Sequence, residues 1–183
     1  MRDLLKRQIY LLLGVAGLLI AIEVINLFTG RMLGALGVIP RVPHTLPYIF
    51  SAPFVHGDPA HLASNLIPLM ILMWLTMQWG RRTFWLVTLT TLVTSGLAVW
   101  VFGRHAPHIG ASGMVYGYFG FLVLAGFMSK KITYILVSLA VAFTYGSMVF
   151  GVLPGRPFVS FEYHLFGMLA GLACAKFWGH NIS

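Results

Sequence analysis

The sequence predicts an all-α polytopic membrane protein with six transmembrane helices. Three observations carry that prediction. Of the 183 residues, 58% are hydrophobic and 9% charged, whereas a soluble domain carries about 25% charged residues. Mean hydropathy is +0.86, so lipid is the solvent that this surface suits. The apolar residues fall into six runs, each close to the roughly 20 residues that cross a bilayer core. Short connections separate most of these runs. That leaves no room for a second folded domain, and residues 1–183 are expected to form a single membrane domain.

The first helix is expected over 9–28. Arg2, Lys6 and Arg7 precede it like the basic region of a signal peptide. The apolar run is nevertheless long enough to span, and no A-x-A cleavage pattern follows, so a retained helix is expected. Glu23 lies near the far end of this run. An ionisable group at that depth must face protein, water or the interface, and a hydrogen-bonded structural role is expected for it. Residues 29–60 are rich in Gly and Pro yet carry Leu46, Ile49, Phe50, Phe54 and Val55. A connection of that length and apolarity is expected to lie in the membrane interface rather than to act as a free linker.

The second helix is expected over 59–79, with Asp58 as N-cap, Pro59 in the first turn and a bend at Pro68. Gly80-Arg81-Arg82 makes a basic turn between the interfacial Trp79 and Trp85. Helices over 84–102, 112–128 and 132–150 follow, the last two joined at Ser129-Lys130-Lys131. A loop over 151–161, with Pro154, Gly155 and Pro157, leads to a final helix over 162–178.

Basic residues alternate between the two faces of this layout. Arg2, Lys6, Arg7, Arg81, Arg82, Lys130, Lys131 and Lys176 lie on one face, against Arg31, Arg41, Arg104 and Arg156 on the other. By the positive-inside rule both termini are expected in the cytoplasm, in a multi-pass protein of the inner (plasma) membrane. The same rule accounts for the net charge of +8 without nucleic acid. The lone Cys174 lies in the last apolar run, which excludes an intrachain disulfide and any thiol cluster.

On the outer side of this layout, Ser112 opens the fourth span within Gly110-Ala111-Ser112-Gly113, and His164 opens the sixth. Helical spacing places His61 and Asn65 on one stripe, and Ser112 and Tyr116 on another beside Gly113, Gly117 and Gly120. His164, Gly167 and Gly171 share a face of the last helix. Two glycine faces let membrane helices approach closely, which a serine–histidine hydrogen bond requires. The parts fit amide hydrolysis, with Ser112 as nucleophile and His164 as general base and then acid. His61, Asn65 and the Ser112 backbone N–H at a helix N-terminus are donors for an oxyanion. Glu162 is two residues from His164 and points to another helix face, so the pair is a dyad without an acid. Water must reach it, so the side bearing His56, His61, His105 and His108 is expected to be wetter than the rest. No metal and no cofactor are expected. The plainer reading is that the glycines only pack helices and Ser112 bonds a carbonyl. The coincidence of all these residues on one membrane side weighs against it.

Gly110-Ala111-Ser112-Gly113-Met114-Val115-Tyr116-Gly117 resembles the G-x-S-G segment of rhomboid intramembrane serine proteases. His61-Leu62-Ala63-Ser64-Asn65, preceded by His56, is similar to their H-x-x-x-N on the second helix. Ser160-Phe161-Glu162-Tyr163-His164-Leu165-Phe166-Gly167, with Gly171, resembles their approach to the catalytic histidine. The resemblance implies a rhomboid-like six-helix core, a site sunk below the outer surface, and transmembrane proteins as substrates, cut at a small residue. It makes Ser112 and His164 the dyad, gives His61 and Asn65 to the oxyanion, and packs Tyr116 on His164. His56, Gly110, Gly113, Gly167 and Gly171 support them. It also casts 29–60 as a membrane-dipping loop, 151–161 as a mobile cap and the fifth helix as a lateral gate. The Trp-Arg pair that many members carry in the first loop is absent, with Pro47-Tyr48 near that place. Thr76-Met77-Gln78 stands where many have Glu and Arg at the end of the second helix. These departures concern loop and helix support, not the dyad. Two rival readings are a non-catalytic rhomboid-like binder of transmembrane clients and a small transporter with Glu23 on a proton path.

Overall fold

Local sequence sets the helix limits. The computed structural model describes residues 2–155 and 159–181. Among the described residues are six α-helices: α1 (Arg2–Phe28), α2 (Pro59–Met77), α3 (Arg81–Phe102), α4 (Ser112–Ser129), α5 (Ile132–Tyr145) and α6 (Phe161–Trp178). Helix α1 starts seven residues before the expected apolar run, because Arg and Lys are good helix formers and extend it past the lipid-facing part. Helix α3 likewise begins at Arg81, directly after Gly80, whose φ of 94° breaks the preceding turn. Asp58 caps α2 as expected, its carboxylate accepting the His61 N–H at 2.7 Å.

One expected boundary needs correction. The fifth helix is α-helical only to Tyr145 and tightens into a 3-10 helix over Gly146–Val152. The Gly146-Ser147 step favours that change, since both residues are weak helix formers. The six-helix architecture is as expected, and among the described residues five helical segments are by length and apolarity alone able to cross a bilayer: Asp3–Phe28, Pro59–Met77, Arg81–Phe102, Ser112–Ser129 and Ile132–Val152. Helix α6 is less apolar than these five because it carries Glu162, His164, Lys176 and the glycines that face α4. It still runs beside α4 and packs on it more extensively than any other element does.

Helix α4 is the axis of the bundle. In its most apolar 18-residue stretch 67% is buried, against 17% for α1 and 11% for the α5 span. Helices α2, α3, α5 and α6 all pack on it. Phe121, Leu122 and Ala125 are fully buried there, beside Leu72 of α2 and Val87 of α3. Glycines bring α6 against α4 almost backbone to backbone. A Cβ at Gly167 would overlap the Gly113 carbonyl, and one at Gly171 the Gly117 carbonyl. Helix α5 is fixed at its middle, where Ser138 Oγ donates to the Leu122 carbonyl at 2.5 Å and accepts the Gly126 N–H at 3.0 Å.

The connection between α1 and α2 is structured, with 3-10 helices over Met32–Leu36, Pro43–Ile49 and Ala52–Phe54. Asn26 clamps its start and end, donating to the His56 carbonyl at 3.1 Å and accepting the Leu33 N–H at 3.0 Å. Arg41 Nη1 ties it to the end of α3 through the carbonyls of Val101 and Gly103. Glu23 is buried and bound to Arg31 at 2.6 Å, the structural role expected of it.

Candidate active site

The entry into α4 is shaped by what precedes Ser112. Gly110 has φ of 108°, a left-handed conformation that favours glycine, and its N–H donates to the Ala52 carbonyl at 2.9 Å. A Cβ there would stand 2.8 Å from His61 Nε2, so the residue must be small for the imidazole to lie against it. The Ala111 N–H donates to His56 Nε2 at 3.2 Å. Ser112 is then the first residue of α4, 6% exposed. The N–H groups of Ser112 and Gly113 find no acceptor among the described residues, as expected for the first turn of a helix.

His164 faces this point from α6. Its Nδ1 lies 2.8 Å from the Gly151 carbonyl. A carbonyl only accepts, so Nδ1 carries the ring proton and Nε2 keeps a lone pair. The Tyr116 ring stacks on the imidazole, 4.1 Å between centroids and 7° between planes. The Tyr116 hydroxyl in turn donates to the Met148 carbonyl at 3.0 Å. The 3-10 segment Gly146–Val152 is thereby tied to both rings.

The third part comes from α2. The Gly57 N–H donates to His61 Nδ1 at 3.3 Å, which puts the proton of the neutral ring on Nε2, beside Gly110. Asn65 Nδ2 donates one proton to the His61 carbonyl at 3.0 Å and has a second to offer. His61, Asn65, Ser112, Tyr116, Met148 and His164 all line one cavity of about 840 Å³. The structure therefore brings Ser112, His164, His61, Asn65 and Tyr116 to one cavity, while His56 lies behind it on the Ala111 N–H. Among the described residues no hydrogen bond joins Ser112 to His164.

His56 and His108 are themselves buried, each 1% exposed, on the side of the bundle where the cavity lies. Both act as struts. His108 Nε2 donates to the Arg104 carbonyl at 3.0 Å, and Nδ1 then accepts the Ser160 hydroxyl at 2.5 Å. Ser160 caps α6, accepting the Tyr163 N–H at 3.4 Å. Glu162 turns away from His164 to pair with Arg104 at 3.4 Å. Burial lowers the His108 pKa. Burial, and then the neighbouring His61, pull that of His56 down to about 4 from 6.5.

The sign for His56 is that of a group held neutral by folding. Between pH 6.5 and about 4 the unfolded chain binds a proton that the folded chain does not. Its contribution is therefore present above pH 6.5 and is lost as pH falls toward 4. The thermal midpoint is expected to drop across that window in detergent, and the drop should shrink in His56→Gln. A midpoint that does not move with pH would contradict the assignment.

Sequence comparison agrees with this architecture. The family model described as the Rhomboid domain matches residues 43–180. An uncharacterized protein of Mycobacterium tuberculosis is 33% identical over 167 residues, covering 86% of this chain and 70% of the relative. An uncharacterized protein of Mycobacterium leprae is 32% identical over 167 residues, covering 86% of this chain and 66% of the relative. With its apolar helices wrapped round a buried α4, and with that match over most of its length, the chain is a multi-pass membrane protein that belongs to the rhomboid family.

Proposed function

We propose that the chain is an intramembrane serine endopeptidase that hydrolyses peptide bonds in or near transmembrane segments through a Ser112–His164 dyad. The observation that carries this reading is the commitment of His164 Nδ1 to the Gly151 carbonyl. It leaves an unprotonated Nε2 on the ring that shares a cavity with Ser112. In the acylation step Ser112 Oγ attacks the scissile carbonyl while its proton passes to Nε2. The tetrahedral oxyanion takes hydrogen bonds from the Ser112 N–H, His61 Nε2–H and the second Asn65 amide proton. As the C–N bond breaks, Nε2 returns the proton to the leaving amine. Water entering the cavity then reverses the roles and releases the acid. His56 takes part indirectly, by holding the backbone at Ala111.

The layout supports a route for substrate. Helix α5 is pinned to α4 through Ser138, whereas the 3-10 segment that follows it touches the site through Met148 and Gly151. A substrate segment entering beside α5 displaces the Gly146–Val152 turn, with the 151–161 segment as cap. In that cap, residues 156–158 lie outside the described residues. The proposed topology puts both termini in the cytoplasm and opens the cavity to the outer face.

The test is cleavage of a panel of single-span substrates, with small residues at varied depth, by the purified chain in liposomes. Asn65→Ala is expected to lower kcat by roughly 10²-fold, the effect of removing one oxyanion donor, with KM nearly unchanged. A loss confined to KM would place Asn65 in substrate binding instead. The second reading, a non-catalytic binder of transmembrane clients, draws on the missing Ser112–His164 hydrogen bond. It predicts client retention that Ser112→Ala leaves unaltered and no cleavage by the parent chain.

A further inference from the structure

A second cavity, of about 720 Å³, opens on the opposite face of the bundle, where α1 begins, α2 ends and α3 begins. Its polar lining is Arg7 and Gln8 of α1, Gln78 after α2, and Arg81 of α3. Phe84 and Trp85 line it on the α3 side, Leu4 and Leu11 on the α1 side. Neither arginine belongs to an ion pair among the described residues. The chain has four acids. Glu23, Asp58 and Glu162 sit toward the other face, leaving Asp3 as the acid on this one. Helix α1 packs chiefly on α2, so protein atoms do not fill the space between α1 and α3.

Two unpaired guanidiniums on different helices, over an apolar floor at the end of the bundle, match a phosphodiester carrying acyl chains. Arginine presents a planar fork of donors suited to phosphate oxygens. A basic pocket between membrane helices is a headgroup site in other membrane proteins. Arg7, Arg81, Gln8 and Gln78 supply the polar lining, while Leu11, Phe84 and Trp85, each about a turn further into the bundle than Arg7 or Arg81, offer apolar surface to the chains. The size fits a headgroup and its glycerol, since ligand pockets span roughly 300–1,000 Å³. We infer that this cavity binds the headgroup of an anionic phospholipid, which bridges α1 to α3 in place of direct helix contact.

The test is native mass spectrometry of the full chain in detergent, titrated with phosphatidylglycerol or with phosphatidylcholine. The variants are Arg7→Gln/Arg81→Gln and a control, Lys130→Gln/Lys131→Gln, on another basic turn of the same face. The parent chain is expected to retain one phosphatidylglycerol in preference to phosphatidylcholine. The arginine pair variant should weaken that binding by roughly tenfold or more, from the loss of two cationic contacts. The lysine pair variant should leave it unchanged. Equal weakening in both variants would reduce the effect to diffuse surface charge and overturn the site. Unaltered binding in the arginine variant would overturn it too. Displacement of the lipid by millimolar glycerol phosphate, with equal thermal stabilisation by that anion alone, would make the ligand a soluble phosphate and not a lipid.

Discussion

Ser112→Ala is expected to lower kcat for peptide-bond cleavage by roughly 10⁴-fold or more, the scale seen when a serine hydrolase loses its nucleophile. KM should hardly change, because the hydroxyl acts in the transition state and contributes little to binding. The fold should also survive. The Ser112 side chain makes no hydrogen bond to protein among the described residues and lines the cavity, so alanine leaves no partner unpaired. His164→Ala should lower kcat on the same scale, but with a different structural signature. It removes the partner of the Gly151 carbonyl and the ring stacked on Tyr116. Protease sensitivity within Gly146–Val152 should therefore rise in His164→Ala and not in Ser112→Ala. Cleavage by Ser112→Ala at more than a tenth of the parent rate would remove the serine from the chemistry.

Gly171→Val is expected to be the most damaging single change to the fold. A Cβ at 171 would overlap the Gly117 carbonyl oxygen and stand 2.8 Å from the Phe121 nitrogen. These are backbone atoms of the central helix, which cannot rotate aside, so α6 must move as a body. Overpacking a core usually costs about 1–3 kcal/mol, and a backbone clash along the principal helix contact belongs at or above the top of that range. His164 rides on α6, so activity should fall with stability. Gly17→Val in α1 is the matched control, since no atom lies within 4 Å of a Cβ placed there. Thermal unfolding in detergent should separate the two variants clearly. Similar midpoints would mean that α4 and α6 do not rely on the glycine contact.

The side chains of the site were legible because each announces itself locally. Ser112 stands among glycines at a helix start, His61 and Asn65 are one turn apart, and His164 shares a face with Gly167 and Gly171. Helical geometry converts such spacings into faces without knowledge of the fold. The groups that orient them were not legible. Gly151 contributes a backbone carbonyl, which leaves no mark in a sequence. His108 and Ser160 lie 52 residues apart, and Arg104 and Glu162 lie 58 apart, so their pairing depends on how α3, α4 and α6 are arranged. The burial of His56 and His108 depends in the same way on partners distant in sequence, the Ala111 N–H and the Ser160 hydroxyl. The apolar runs placed most helix limits to within about three residues and missed mainly the start of α1, which basic residues extend, and the 3-10 end of the fifth helix. Helix α6 stands where expected, and its contact with α4 holds it in the bundle although it is less apolar than the other spans.

The central claim is that His164 activates Ser112. Its most direct test is a fluorophosphonate probe applied to the purified chain in liposomes, with the adduct located by mass spectrometry. A single adduct on Ser112, absent from Ser112→Ala and His164→Ala while both remain folded, is the result predicted here. Folded parent protein that stays unlabelled by probes of several sizes would contradict the dyad and leave a rhomboid fold that holds transmembrane clients without cutting them.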